Sequence, residues 1–108
     1  MRTKLQKFQD NAQRDNVIEH GKPLYEGIQG CWGANYFGNS DDIILELGCG
    51  YGEYTIQLAS LFPAKNYIGV DLKGARLWKG STMAMDQKLS NVVFLPDIPH
   101  IRFNNFSF

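Results

Sequence analysis

The sequence contains few residues of the kinds that mark disulfide-bonded or metal-binding proteins. Its 108 residues include only two cysteines and two histidines. Cys31 and Cys49 lack the spacing of a metal site, and in a chain without an export signal we expect both to be free thiols. His20 and His100 have no partner at catalytic or metal-site spacing. The sequence therefore argues against a disulfide scaffold and predicts no bound metal.

Net charge and long apolar runs are also lacking. Eleven basic residues balance eleven acidic ones, so the whole chain has no charge attraction to a polyanion or to an anionic membrane. The apolar runs are too short for a membrane span, and the polar first sixteen residues lack the apolar core of a signal peptide. These features predict a cytoplasmic protein with no membrane partner, and any nucleic-acid contact must come from a local basic patch.

What the sequence does contain is an alternation of short apolar runs and helix-like segments. The pattern predicts strands at residues 43–47, 67–72 and 92–95, with helices at 53–62 and 76–89 between them. Parallel strands need crossovers of helix length, so the order strand, helix, strand, helix, strand predicts the βαβαβ half of a doubly wound parallel sheet. The fold class is therefore α/β.

The residues before the first strand read differently. Residues 1–42 are predicted to form an N-terminal arm, either a short helix or mobile, and an irregular, glycine-rich lead-in with aromatic anchors. Residues 43–108 are predicted to form the ligand-binding half-domain. Helical spacing places Tyr54, Leu58, Leu61 and Phe62 on one face of the first helix, and it likewise places Trp78, Met85 and Leu89 on the second.

A glycine-rich turn follows the first strand. Gly48, Gly50 and Gly52 alternate with other residues, whereas the dinucleotide fingerprint would place its third glycine at position 53, which is Glu53. A carboxylate in the first turn of a helix repels a pyrophosphate at that helix N-terminus. S-adenosylmethionine has no phosphate and carries a sulfonium and an ammonium, so Glu46 and Glu53 suit it. The pattern therefore predicts S-adenosylmethionine and disfavours an NAD-dependent oxidoreductase.

Asp71 lies at the carboxyl end of the second predicted strand. In open α/β sheets, an acidic side chain at this place accepts hydrogen bonds from ribose hydroxyls. Glycine turn, helix and strand-end aspartate together predict an adenosine-containing cofactor. The alternative is that Glu46 and Asp71 are only the polar ends of buried strands and that the glycines only form a tight turn.

Residues 45–80, "LELGCGYGEYTIQLASLFPAKNYIGVDLKGARLWKG", and residues 91–95, "NVVFL", resemble the bacterial tRNA (guanine-N(7)-)-methyltransferase family. The resemblance implies a Rossmann-like class I methyltransferase fold, here partial, and methylation of guanine N-7 in tRNA. It also implies that Glu46 and Asp71 are cofactor ligands and that Asp97 is the nearest candidate for an adenine contact.

The resemblance further implies direct displacement without a covalent enzyme intermediate, so Cys49 is expected to be a packing residue. The family's later motifs, with the guanine and tRNA contacts, are not found, so we assign no catalytic residue. We expect a truncated copy whose own activity is doubtful. The alternative is a non-catalytic fragment that binds S-adenosylmethionine or pairs with another chain.

The basic residues that could contact tRNA phosphates fall into two groups. Lys73, Arg76 and Lys79 follow the second strand, while the arm contributes Arg2, Lys4, Lys7 and Arg14. A solvated charged face explains them about as well. Trp78 is expected to be a core residue of its helix rather than a base-stacking platform.

Overall fold

A three-stranded sheet organises the computed structural model, which describes residues 1–28 and 30–96. The elements are α1 (Lys4–Gln13), α2 (Pro23–Gly27), a π-helical turn (Gly33–Phe37), β1 (Ile43–Leu47), α3 (Glu53–Leu61), β2 (Asn66–Val70), α4 (Gly74–Asp86) and β3 (Val92–Leu95). The strands are parallel and lie in the order β1-β2-β3. This arrangement confirms the predicted βαβαβ unit. None of the described helices is long and apolar enough to cross a membrane.

Strand register aligns the carboxyl ends of β1 and β2. Leu47 pairs with Val70, so Glu46, opposite Gly69, lies close to the end of β2. β2 and β3 are buried throughout, whereas β1 is only partly buried. Within the described residues β1 pairs along one edge only, and Ile44 and Leu47 are 37% and 48% exposed. The β1 sequence therefore has the apolar pattern of a buried strand, although within the described residues β1 lies at an edge of the sheet.

The predicted inner face of α3 was wrong in most of its members. Tyr54, Leu61 and Phe62 are exposed, and of the predicted set Leu58 alone packs against the core. The buried side chains of α3 are Thr55, Ile56 and Ala59. Small and β-branched residues allow the helix axis to approach the sheet closely, so size and apolarity alone pointed to the wrong stripe.

The predicted face of α4 was also wrong in most of its members. Its buried residues are Leu77, Gly80, Ser81 and Ala84, while Met85 is exposed and Leu89 packs against the core from beyond the helix end. Trp78 is half-buried and lies outside that core, against α1. Its Nε1 donates a hydrogen bond to Asp10 (2.7 Å), and Lys7 and Arg14 each lie 5.3 Å from its rings.

The arm is an ordered helix packed along α4. α1 begins with a capping box in which Thr3 and Gln6 cap each other's backbone amides. Asn11 Nδ2 donates to the Gly74 carbonyl (3.0 Å), and Arg14 Nη1 donates to the Trp78 carbonyl (2.9 Å). These bonds fix the arm beside the residues that follow β2.

The chain reverses after α1 around one lysine. Lys22 Nζ donates to the carbonyls of Asn11, Arg14 and Val17 at 2.9, 2.7 and 2.6 Å. A cation at the carboxyl end of a helix satisfies carbonyls that have no helical partner and complements the helix dipole. Burial lowers the pKa of the Lys22 ammonium. Nothing in the local sequence pattern indicates this bond set.

The lead-in covers the face of the sheet opposite α3 and α4. Trp32, Ile18 and Ile28 are buried there against the four sheet residues Ile68, Val70, Val93 and Leu95. The backbone before this segment also extends the sheet, because Ile18 N donates to Phe94 O and Phe94 N donates to Asn16 O, both at 2.9 Å. The aromatic anchors predicted for the lead-in thus belong to a second hydrophobic core on this face of the sheet. The outer edge of β3 is covered by the backbone around Val17.

Candidate functional site

The glycine turn joins β1 to α3 at the carboxyl edge of the sheet. Gly48, Gly50 and Gly52 all have positive φ, at 70°, 61° and 80°. Residues with a Cβ rarely adopt this conformation. The Cys49 amide donates to Val70 O (2.9 Å), which ties the turn to the end of β2. The tight turn predicted from the sequence is therefore confirmed.

The glycines of the turn face two different surroundings. A Cβ on Gly48 or Gly50 would meet no atom within 4 Å. A Cβ on Gly52 would lie 2.6 Å from Phe94 Cε1 and 3.3 Å from Gly80 Cα. The first two glycines thus leave open space beside the backbone, whereas the third allows the turn to pack onto β3 and α4.

Asp71 anchors the turn from the end of β2. Its Oδ2 accepts from the Gly50 amide and its Oδ1 from the Lys73 amide, both at 2.8 Å. Arg76 Nη1 lies 4.0 Å from Oδ2, and the Asp71 side chain is only 9% exposed. An ionised carboxylate offers about four lone-pair sites, so it can accept further hydrogen bonds. Asp71 therefore has a structural role that the sequence did not predict, in addition to any role toward a ligand.

Glu46 approaches the same turn from β1. Its Oε2 accepts from Thr55 Oγ1 (3.0 Å) on α3. Glu46 and Asp71 both act on Cys49: burial raises the pKa of this thiol to about 12, and the two carboxylates add to the effect. The structure thus brings the two predicted carboxylates to one glycine turn. It also makes Cys49 a neutral core residue, as expected.

A cleft of about 660 Å³ opens beyond Asp71. Its walls come from the residues after β2 and β3 and from the arm, and they include Lys4, Phe8, His20, Leu72, Lys73 and Pro96. This volume lies within the range of about 300–1,000 Å³ typical of small-molecule sites. The contribution of α1 to this cleft had no sequence signal, because it depends on how the arm packs on α4.

The basic residues of the arm and of α4 divide into paired and outward-facing groups. Arg2 pairs with Asp10 (2.6 Å), and Arg14 donates to the Trp78 carbonyl and to the hydroxyls of Ser81 and Thr82. Arg76 and Lys79 lie beside the glycine turn with exposed side chains. α4 therefore places two exposed cations beside the turn, while Lys4 and Lys73 line the cleft.

Two predicted features lie outside what the structure describes. Asp97 and His100 fall in residues 97–108, beyond the described ranges. Within residues 1–28 and 30–96, no group of three or more histidine, cysteine, aspartate or glutamate side chains is placed to hold a metal ion.

Comparison with known proteins bears on the same segment. Residues 38–102 match the model of a family described as a methyltransferase domain. The chain belongs to this methyltransferase family. The match includes the glycine turn, Glu46 and Asp71, whereas the residues that α1 contributes to the cleft precede it.

Named relatives are similar over most of the chain. It is 47% identical over 94 residues to the tRNA (guanine-N(7)-)-methyltransferase of Cytophaga hutchinsonii, covering 87% of this chain and 42% of that protein. It is 43% identical over 99 residues to the protein of the same name from Christiangramia forsetii, covering 87% and 44%. The resemblance found in the sequence is thus confirmed. The chain spans less than half the length of these relatives.

A solved structure agrees with the fold. An antibiotic-related methyltransferase is 28% identical and superposes with a TM-score of 0.56, covering 68% of this chain and 40% of that one. The fold class is therefore a partial Rossmann-like class I methyltransferase fold, as the sequence predicted.

Proposed function

We propose that this chain is the S-adenosylmethionine-binding part of a tRNA (guanine-N(7)-)-methyltransferase. The observation that supports the proposal best is the glycine turn, which leaves open space at Gly48 and Gly50 between the carboxylates of Glu46 and Asp71. When bound, S-adenosylmethionine would supply the methyl group. Family membership and the named relatives support the same assignment.

The open turn suits a cofactor with cationic groups and a nucleoside. In the proposal, Glu46 faces the amino-acid end of S-adenosylmethionine, and its carboxylate complements the ammonium and sulfonium charges. Gly48 and Gly50 let the cofactor approach the backbone, and Gly52 lets the turn pack onto β3 and α4. Asp71 accepts hydrogen bonds from the ribose hydroxyls.

In the proposal, the adenine end of the cofactor occupies the cleft formed by the residues that follow Asp71. The cleft that begins at Leu72 is large enough for a purine ring and has apolar walls at Leu72, Phe8 and Pro96. Asp97 is assigned to the adenine contact by resemblance alone. Bound there, the cofactor would run from β1 across the end of β2, as ligands do at the carboxyl edge of open α/β sheets.

The proposed reaction needs no enzyme nucleophile. Guanine N-7 has a free lone pair on the major-groove edge of the base, and the Cys49 thiol is neutral, with a pKa raised to about 12 by burial and by the nearby carboxylates. The described residues would therefore contribute by positioning, which can account for a large share of a catalytic barrier. The proposal places the reaction in the cytoplasm, where bacterial tRNA is modified.

Calorimetric titration of the chain tests the cofactor assignment. We expect S-adenosylmethionine and S-adenosylhomocysteine to bind more tightly than NAD. Asp71→Ala should weaken binding by about 1.5–3 kcal/mol for each charge-assisted hydrogen bond lost. The matched control is Asp42→Asn, which removes an exposed carboxylate just before β1, at the opposite edge of the sheet. Tighter binding of NAD, or equal effects of the two substitutions, would contradict the proposal.

A chimera tests the substrate. The chain would replace the 94-residue stretch that it matches in the Cytophaga hutchinsonii relative, and methyl transfer from labelled cofactor to unmodified tRNA would be measured. We expect 7-methylguanine in the product, with Asp71→Ala in the chimera reducing the yield. A folded chimera that binds S-adenosylmethionine without methylating tRNA would remove the tRNA part of the proposal only.

A further inference from the structure

Tyr51 lies between the second and third glycines of the turn and is not used by the proposed cofactor site. Its side chain is 50% exposed. Two cations of α4 flank the ring: Arg76 Cζ lies 5.8 Å and Lys79 Nζ lies 5.6 Å from the ring centroid. Both distances are within the limit of about 6 Å for a cation–π contact, so the cations lie over the ring while half of the side chain stays exposed.

The backbone of the turn fixes this ring against α4. A Cβ on Gly80 would lie only 2.8 Å from the Tyr51 carbonyl oxygen, so the glycine allows the turn to touch the helix. Arg76, Lys79 and Gly80 are spaced so that they share one face of α4. The contact therefore places the Tyr51 backbone against the face of α4 that carries both cations.

The acidic groups facing these cations bind them weakly. Asp71 Oδ2 lies 4.0 Å from Arg76 Nη1, and Glu53 Oε1 lies 4.0 Å from Lys79 Nζ. The Arg76 and Lys79 side chains are 40% and 53% exposed. The Lys79–Glu53 pair is exposed on both sides and is therefore weak, whereas Arg76 lies at long distance from a buried carboxylate. The two cations therefore remain able to bind an incoming anion.

We propose that Tyr51, Arg76 and Lys79 form a stacking platform for an unpaired nucleotide of the RNA substrate. The tyrosine ring stacks on the base while the cations contact the flanking phosphates. This combination of aromatic face and cations is the one used for single-stranded nucleic acid, whereas an acidic peptide would use the cations without the ring. The inference rests on the proposed function, because it assigns the RNA side of the same domain.

Fluorescence anisotropy with a labelled single-stranded RNA oligonucleotide tests the platform. Tyr51→Ala should weaken RNA binding about 5- to 150-fold, since stacking contributes roughly 1–3 kcal/mol per base. Tyr51→Phe keeps the ring and should bind within about twofold of the unsubstituted chain. Lys79→Gln should reduce the slope of log K against log salt by about 0.7, the value for one phosphate on a single strand.

Matched controls separate the platform from general charge and from misfolding. Lys65→Gln removes an exposed lysine at the amino end of β2 and should not change RNA binding. Each variant would first be compared with the unsubstituted chain by circular dichroism and thermal melting. If Tyr51→Ala does not fold, Tyr51→Phe and Lys79→Gln carry the test. Tyr51→Phe should then retain RNA binding, and Lys79→Gln should weaken it.

Three outcomes would overturn the inference: no RNA binding by the unsubstituted chain, equal binding by Tyr51→Ala, or competition by polyglutamate as strong as that by RNA. The last would assign the surface to an acidic protein. Calorimetry with S-adenosylmethionine is read separately. Cofactor binding with RNA affinity unaffected at Tyr51 removes the platform alone, whereas RNA binding without cofactor binding removes the proposed function alone.

Discussion

Alanine at position 52 should destabilise the fold more than alanine at position 48, although both positions are glycines of one turn. Both have positive φ, at 80° and 70°, and a Cβ in this conformation costs about 1–2 kcal/mol. The space around them differs. The Gly52 Cβ would lie 2.6 and 2.9 Å from two atoms of the Phe94 ring, whereas nothing lies within 4 Å of a Gly48 Cβ.

The magnitudes follow from these two terms. Gly48→Ala carries the backbone cost alone, about 1–2 kcal/mol of unfolding free energy. Gly52→Ala adds overpacking against a fully buried ring, which costs about 1–3 kcal/mol, so its total is about 2–5 kcal/mol. Urea unfolding followed by circular dichroism measures both, and the midpoint should fall without a change of slope.

Phe94→Leu tests whether contact with the Phe94 ring causes the extra cost of Gly52→Ala. A smaller side chain makes room for the alanine Cβ, so the cost of Gly52→Ala should drop when both changes are combined. A double-mutant cycle with Gly52 and Phe94 should give a coupling of about 1 kcal/mol or more, and the same cycle with Gly48 should give about zero. Equal costs at the two glycines, or no coupling at Gly52, would refute the assignment of the third glycine to packing.

Four further predictions concern the arm, the buried thiol and the edge strand β1. Trp78→Ala should speed limited proteolysis within α1, because Asp10 loses its indole donor; an unchanged cleavage rate would mean that other contacts hold the arm. Cys49, with a pKa raised to about 12 by burial, should react with iodoacetamide far more slowly than Cys31 in mass-spectrometric mapping. Because folding raises the pKa of Cys49 from about 9 to about 12, the contribution of this thiol to stability is present below pH 9 and is lost as the pH rises to about 12. The urea midpoint should therefore fall less over that range in Cys49→Ala than in the unsubstituted chain. Leu47→Lys should reduce concentration-dependent association in sedimentation experiments, since charge on an edge strand opposes edge-to-edge pairing; equal association would locate the contact elsewhere.

The sheet could be predicted because its signals are local. β1 and β3 have the predicted bounds, since short apolar runs lie between turn residues and each strand is followed by a helix-length crossover. β2 spans Asn66–Val70 where 67–72 was predicted, and Asp71 beyond it still donates its amide to Leu95 O (3.2 Å) while its carboxylate accepts from the amides of Gly50 and Lys73. The element pattern thus gives the topology, while the strand ends differ from it by one or two residues.

The second core could not be predicted because its contacts are distant in sequence and have no period. Trp32 and Ile28 lie among glycines in the lead-in, yet they pack on the face formed by β2 and β3. The predicted buried faces of α3 and α4 were wrong for a related reason. Thr55 lies at the sheet because it donates to Glu46, and a pattern search for apolar stripes gives no weight to a threonine.

The two carboxylates of the proposed cofactor site differ in how firmly the fold holds them in position. Asp71 is fixed by two backbone amides and lies between β1 and β3, whereas Glu46 lies on β1, which within the described residues has a partner on one side only. A ligand loses less free energy on binding to groups already in place. Adenosine should therefore compete for the S-adenosylmethionine site of this chain much better than methionine does. Displacement of labelled S-adenosylhomocysteine by each compound measures this. Equal displacement by methionine would show that the edge strand holds Glu46 as firmly as β2 holds Asp71, and the open edge would then have no consequence for the site.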